Sequence, residues 1–122
     1  MRVLLSIKPE YAFKIFEGTK KYEFRKAIFK RPNIKTVVVY ASSPVQKVIG
    51  EFEIDEILSA SPQKIWEKTK KTSGISEKFF YDYFMDKEVA YAIKIKAAKQ
   101  YEKYFDLKQE YNLLAPQSFA YL

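Results

Sequence analysis

Neither cysteine nor histidine occurs in the 122 residues of this chain. No disulfide, thiolate-bound metal or imidazole-bound metal can staple it, so its fold must be held by burial of apolar side chains. A chain of this length is large enough to bury a core of its own, and the expectation is one domain spanning residues 1–122. Hydrophobic residues make up 48% of it and aromatic residues 17%, whereas disordered chains lack the apolar groups that offset chain entropy. The same two absences remove whole classes of chemistry. Zinc catalysis and His- or Cys-based nucleophilic catalysis are excluded. Any catalytic group must be Lys, Glu, Asp, Tyr, Ser or Thr, and any metal a hard cation on oxygen ligands. The pattern calls for no cofactor and no metal.

Lys and Arg number 22 against 15 Asp and Glu, a net charge of +7. On a folded surface that excess attracts polyanions in a salt-dependent way. No apolar run exceeds the five residues of Val37–Ala41, a strand's length and far short of a bilayer. The first ten residues carry no long apolar stretch and no small-residue cleavage site. The expected setting is therefore cytoplasmic, without membrane association and with a monomer as the default.

Three glycines and five prolines punctuate the chain. Val3–Ile7 reads as a buried strand. Pro9 and Glu10 start a helix that ends at Gly18, with Tyr11, Ala12, Ile15 and Phe16 at helical spacing. Lys21–Arg25 alternates charged and aromatic residues, the period of a strand with one buried face. A basic loop over 26–33 follows, then a β-branched strand over Thr36–Ala41 and a turn at Ser42-Ser43-Pro44. Gln46–Ile57 alternates, placing Val48, Gly50, Phe52 and Ile54 on one face and Glu51, Glu53 and Asp55 on the other. Ser61-Pro62 opens a second helix running to about Lys71. Ser76 caps a third, with Ile75 and Phe80 as a hydrophobic staple. Val89–Lys96 is a further strand, 97–112 shows no clean period, and Gln117–Leu122 closes the chain as a strand. The fold class is α+β: a small mixed, mostly antiparallel β-barrel flanked by about three helices.

Gly18-Thr19-Lys20-Lys21-Tyr22-Glu23-Phe24-Arg25 matches the pattern GxKxxExR without a gap. Placed after one strand and a short helix, it resembles the ASCH domain family, whose fold looks like the PUA barrel of RNA-binding proteins. The resemblance extends through Val37–Pro44, Val48–Ile57, Ser73–Ser76, Ala90–Ile93 and the terminal Ala-Pro-Gln-Ser-Phe-Ala-Tyr segment. It implies a helix-flanked barrel with a cleft beside the motif that accepts RNA or a nucleobase-like ligand. Carried over by position, the residues of that cleft are Gly18, Lys20, Glu23 and Arg25. Their chemistry suits such a ligand, since Arg25 offers a rigid fork of donors, Lys20 a flexible point charge, and Glu23 an acceptor for an exocyclic amine. Strict alternation puts Glu23 and Arg25 on one face and Lys20 on the other, unless Lys20 lies in the turn before the strand. Otherwise the three are only the solvated face of a strand, with an ion pair of little worth.

Other candidates have equally plain readings. Lys26, Lys30, Arg31 and Lys35 form a basic surface beside the motif suited to phosphates. Ser42 and Ser43 stand at a cleft mouth or serve a turn. Gln117 and Ser118 lie on the closing strand near the motif as second-rank ligands. Trp66 stacks on a base or fills the core. Glu51, Glu53 and Asp55 suggest a Mg²⁺ site, but three acids at alternate strand positions are more simply a solvated face, one that would turn any RNA surface elsewhere.

Two functions compete. The favoured one is an RNA- or nucleoside-binding module. The alternative is a small hydrolase, either a ribonuclease with Lys20 and Glu23 as acid and base, or an amidohydrolase of acylated cytidine like some ASCH proteins. In those members a Thr nucleophile stands at the position of Glu23, and Thr19 is displaced from it, so the amidohydrolase is disfavoured. A regulatory domain whose exposed aromatics contact a protein partner is the third possibility.

Overall fold

The structure, a computed structural model, describes residues 1–122. Its order is β1 (Arg2–Ile7), α1 (Pro9–Glu17), β2 (Tyr22–Arg25), β3 (Thr36–Ala41), β4 (Lys47–Ala60), α2 (Pro62–Thr69), α3 (Glu77–Tyr83), β5 (Ala90–Phe105), α4 (Leu107–Tyr111) and β6 (Phe119–Tyr121). All six strands belong to one sheet in the order β2-β5-β4-β3-β1-β6. Only β1 and β3 run parallel; every other pairing is antiparallel. The sheet curls into a half-barrel with helices around it. This is the α+β, mostly antiparallel architecture expected from the sequence.

Local signals set most element ends. Pro9 begins α1 and Gly18, at φ 89°, ends it in the left-handed region. Ser61 and Ser76 cap α2 and α3 by accepting hydrogen bonds from the N–H groups of Lys64 at 3.4 Å and Phe79 at 3.1 Å. Ile75 packs against the cluster that holds Phe80, as the staple requires. β1 and β3 are apolar along their length because both faces are covered. Val3, Leu5, Ile7, Val37 and Val39 pack with Ala12 and Ile15 of α1 and with Phe52. Leu4, Val38 and Tyr40, on the opposite face, pack with Val48 and Leu107. A third cluster joins Phe24 of β2 to Ile65, Trp66, Phe80 and Phe84 beneath α2 and α3.

Three expectations are corrected. β5 does not stop near Lys96 but runs 16 residues to Phe105. Its second half pairs with the first half of β4, and register shifts there erase the period-two signal. There are four helices rather than about three, because Asp106 caps a short α4 by accepting from the N–H of Gln109 at 3.1 Å. Val48 does not share a face with Phe52: the register shift between Val39 and Tyr40 turns it to the side of Leu4, Val38 and Leu107.

The bulged stretch also brings backbones together at Gly50. A methyl group there would lie 2.6 Å from the carbonyl oxygen of Lys99 and 2.5 Å from Cζ of Phe16. The backbone oxygen cannot move aside, so Gly50→Ala lowers unfolding stability by about 2 to 3 kcal/mol. The urea midpoint measures this; an unchanged midpoint would contradict the close approach.

Candidate functional site

The chain enters the site through the turn that ends α1. The N–H groups of Thr19 and Lys20 both donate to the carbonyl of Lys14 at 3.1 Å, and β2 starts two residues later. Lys20 therefore lies before the strand, where parity does not bind it. Glu23 and Arg25 share one face of β2, opposite Ile93 and Tyr91 of β5, while Phe24 packs under α3. Both faces are covered: Lys20 is 2% exposed, Glu23 6% and Arg25 8%. Three ionisable side chains held out of water are costly unless each finds partners, so they are not the solvated face of a strand.

Both terminal nitrogens of Arg25 are bonded to the protein. Its Nη1 donates to the carbonyl of Ser6 at 3.3 Å and to Oε2 of Glu23 at 3.2 Å. Its Nη2 donates to the carbonyl of Ser118 at 2.9 Å and to the Ser118 hydroxyl at 3.3 Å. The guanidinium thus ties β2, one edge of the sheet, to β1 and to the segment entering β6, the other edge. Glu23 gives one carboxylate oxygen to Arg25, and Oε1 has no protein partner. Lys20 donates one hydrogen bond from Nζ, to the carbonyl of Ser73 at 2.7 Å, and has no carboxylate within 4.0 Å. Instead the amine lies 4.8 Å from the centroid of the Phe24 ring and 5.5 Å from that of Tyr11. Burial lowers its pKa to about 8; Glu23 opposes the shift and Lys14 adds to it.

Lys20, Glu23 and Arg25 open onto one cavity of about 260 Å³. The end of β1 contributes Ser6 and Ile7, the residue before α1 contributes Lys8, and Gln117 also lines it. Its wall is aromatic: Tyr11, Phe79 and Tyr83 follow one another at centroid distances of 5.4 and 6.3 Å, the second pair nearly parallel at 10°. Lysines stand over these rings, with Nζ of Lys8 5.5 Å from Phe79, Lys14 5.8 Å from Tyr11 and Lys26 4.6 Å from Tyr83. Burial raises the phenol pKa of Tyr83, with Arg25 opposing and Glu23 reinforcing.

The other sequence candidates divide. Gln117 lines the cavity and Ser118 holds Arg25. Lys26 reaches the site through Tyr83. Gly18 shapes the turn and does not touch the cavity. Lys30 and Arg31 lie outside it, their N–H groups bound to the Tyr121 hydroxyl at 2.9 and 3.2 Å, with the Arg31 guanidinium 4.0 Å over that ring. Ser42 and Ser43 also lie outside it; they form the turn after β3, where the Ser42 N–H donates to the Ile7 carbonyl at 3.0 Å. Trp66 is core. Glu51 lies opposite Lys99 in the sheet, Asp55 reaches Lys94 at 3.6 Å, and these acids form no cluster able to hold a cation. In the sequence Tyr11 stands out only in the helical spacing of α1, and neither Phe79 nor Tyr83 is singled out as a site residue; the two phenol hydroxyls on otherwise apolar helix faces were the available signal.

The charge arrangement can be tested at two residues. Arg25→Lys keeps the charge but puts its donors on one nitrogen, which cannot span the acceptors on three segments, and costs about 3 kcal/mol of stability, nearly as much as Arg25→Gln; urea unfolding of both variants tests this. Below about pH 8 Lys20 is charged in both folded and unfolded chains, and its burial then costs the full penalty. Between about 8 and the ordinary lysine value of 10.5 the unfolded chain binds the extra proton, so the stability of the wild type rises with pH by about 3 kcal/mol. Lys20→Met should equal or exceed the wild type in stability at pH 7, and that difference should shift in the wild type's favour by pH 10. A gap independent of pH would refute the shifted amine.

Residues 5–119 match the ASCH domain. The chain is 30% identical over 93 residues to an ASCH domain-containing ribonuclease of Zymomonas mobilis, covering 76% of this chain and 63% of that protein. It is 32% identical over 121 residues to the large ribosomal subunit protein uL22 of Ureaplasma parvum, covering 98% of this chain but only 39% of that relative's length. The crystal structure of ASCH from Zymomonas mobilis superposes with a TM-score of 0.90 at 29% identity, covering 99% of this chain and 87% of that one. With its GxKxxExR residues gathered at the seam of a half-barrel, the chain belongs to the ASCH domain family.

Proposed function

We propose that the chain binds RNA, or a nucleoside-like unit of it, in the cleft beside β2. The observation that supports this best is the meeting of a buried amine, a buried carboxylate and an aromatic wall at one cavity. The amine and the carboxylate each keep hydrogen-bonding capacity unused by the protein. A base edge presents donors beside acceptors. Oε1 of Glu23 accepts from an exocyclic amine or ring N–H, and Lys20 donates to a neighbouring carbonyl or ring nitrogen. Tyr11, Phe79 and Tyr83 offer ring faces, on which each stacked base gains roughly 1–3 kcal/mol. Lys8 and Lys26 take the phosphates as point charges. In this arrangement Arg25 is a positioning residue that aims Glu23, and Gln117 adds an amide at the rim. The ASCH family and the name of the Zymomonas relative favour RNA over DNA, and a cytoplasmic setting suits it. No helix of the chain is long and apolar enough to cross a membrane.

Fluorescence anisotropy with labelled single-stranded RNA at two salt concentrations tests the proposal. Binding should weaken as salt rises, and Phe79→Ala and Tyr83→Ala should each lose about tenfold in affinity. No binding at low salt, or full binding by Lys20→Met and Glu23→Gln, would end it.

Hydrolysis of RNA is a second reading, favoured by one observation: the Lys20 amine exchanges its proton at about pH 8, close to neutrality. Glu23 would then serve as its acid–base partner. An acylcytidine amidohydrolase finds no support, because no threonine lines the cavity and the Thr19 hydroxyl donates to the Lys14 carbonyl at 3.3 Å on an exposed turn. If Lys20 acts as the base, cleavage of labelled RNA should rise with pH up to about 8. RNA left intact by a protein that binds it would remove this second reading alone.

A further inference from the structure

We infer that Lys20 is a nucleophilic amine that captures, as an imine, the ring-opened sugar aldehyde of a nucleotide that has lost its base. The inference rests on the proposal that the cleft admits nucleic acid, and it assigns the buried amine a covalent chemistry distinct from binding or hydrolysis. A lysine this deep usually faces a carboxylate that compensates its charge. Lys20 has none within 4.0 Å, only the Ser73 carbonyl and the ring faces of Phe24 and Tyr11. Its stem is clamped by the strap over 73–75. A Cβ at Gly74 would stand 2.5 Å from Cγ and 2.6 Å from Cβ of Lys20, so only glycine lets the strap close on it. The amine is thus fixed at the cavity wall instead of sweeping through solvent.

Such an amine is a nucleophile for carbonyl carbon. With burial lowering its pKa to about 8, roughly a tenth of it is uncharged at pH 7, against well under a thousandth for an ordinary lysine. An intact nucleotide has no carbonyl on its sugar; loss of the base opens the ring and exposes the C1′ aldehyde. The absent base leaves the cavity free for the sugar, while neighbouring bases stack on Tyr11, Phe79 and Tyr83. In the reaction the Nζ lone pair adds to C1′ and the carbonyl electron pair moves to oxygen. Glu23, whose free oxygen faces the same cavity, carries a proton from nitrogen to that oxygen. The remaining nitrogen proton then passes to the hydroxyl by way of the same carboxylate, and water leaves as the nitrogen lone pair forms the C=N bond, so one amine and one aldehyde give one imine and one water.

The full-length chain is incubated with a single-stranded oligonucleotide bearing one abasic site, in ribose and deoxyribose versions, and sodium borohydride reduces any imine to a stable amine. The wild type should give a covalent complex, mapped to Lys20 by mass spectrometry, whose yield rises with pH towards about 8. Lys20→Met and Lys20→Arg, checked for folding by urea midpoint, should give none, and neither should an intact strand. Equal trapping by Lys20→Met would mean that surface lysines react, and would overturn the inference. Absence of trapping by a wild type that still binds intact RNA would overturn it while leaving the binding proposal standing. Failure to bind either strand would overturn both.

Discussion

One guanidinium decides whether this sheet encloses anything. Its edges are short, four residues in β2 and three in β6, and no backbone ladder joins them. Arg25 spans the gap with four hydrogen bonds, to Glu23, to Ser6 of β1 and to both the carbonyl and hydroxyl of Ser118. The rigid fork of arginine suits this, because its planar donors meet acceptors on three chain segments at once. The cavity lies at the seam so closed, and Glu23 faces it with one oxygen committed and one free. A residue that reads as a phosphate ligand is thereby spent on architecture, and its neighbour carries the recognition chemistry.

The roof of the cavity is attached by the same segment that supplies its amine. Three bonds join α1 and the turn after it to the connection between α2 and α3: Lys21 N–H to the Thr72 carbonyl at 2.9 Å, Lys20 to Ser73 at 2.7 Å, and Lys14 of α1 to Gly74 at 3.2 Å. That connection leads into α3, which carries Phe79 and Tyr83. Placement of the aromatic wall and burial of Lys20 are therefore one structural event. A charged amine held away from water and without a carboxylate within 4.0 Å opposes folding, and such a group is a candidate for function because its environment shifts its proton affinity towards neutrality.

Much of this was legible in the chain itself. Proline and glycine at the ends of α1, serine caps on α2 and α3, and the all-apolar β3 announced their elements because each depends on neighbours only a few residues away. The GxKxxExR spacing singled out Lys20, Glu23 and Arg25, which the fold brings to one cavity. Where the reading failed, the cause was non-local. The register shifts between β4 and β5 broke the alternation, hid the second half of β5 and turned Val48 to the other face. Ser42, Ser43, Lys30 and Arg31 are near the motif along the chain or by analogy, yet the turn after β3 and the packing on Tyr121 carry them off the cavity. The apparent acidic stripe of β4 lies beside lysines of β5, a pairing that exists only once the strands are in register.

The sequence by itself determined that burial alone must hold the fold, that any chemistry must run without histidine, cysteine or zinc, and that strands dominate with helices between them. Those are consequences of composition and short-range pattern. Only the tertiary structure decided that Arg25 is a strut, that Glu23 keeps a free oxygen, that Lys20 is a lone buried amine, and that Tyr11, Phe79 and Tyr83 form one wall. The physical reason is that hydrogen-bond saturation and desolvation depend on atoms brought together from residues 6, 73 and 118, and no local pattern records what a side chain will meet across that distance.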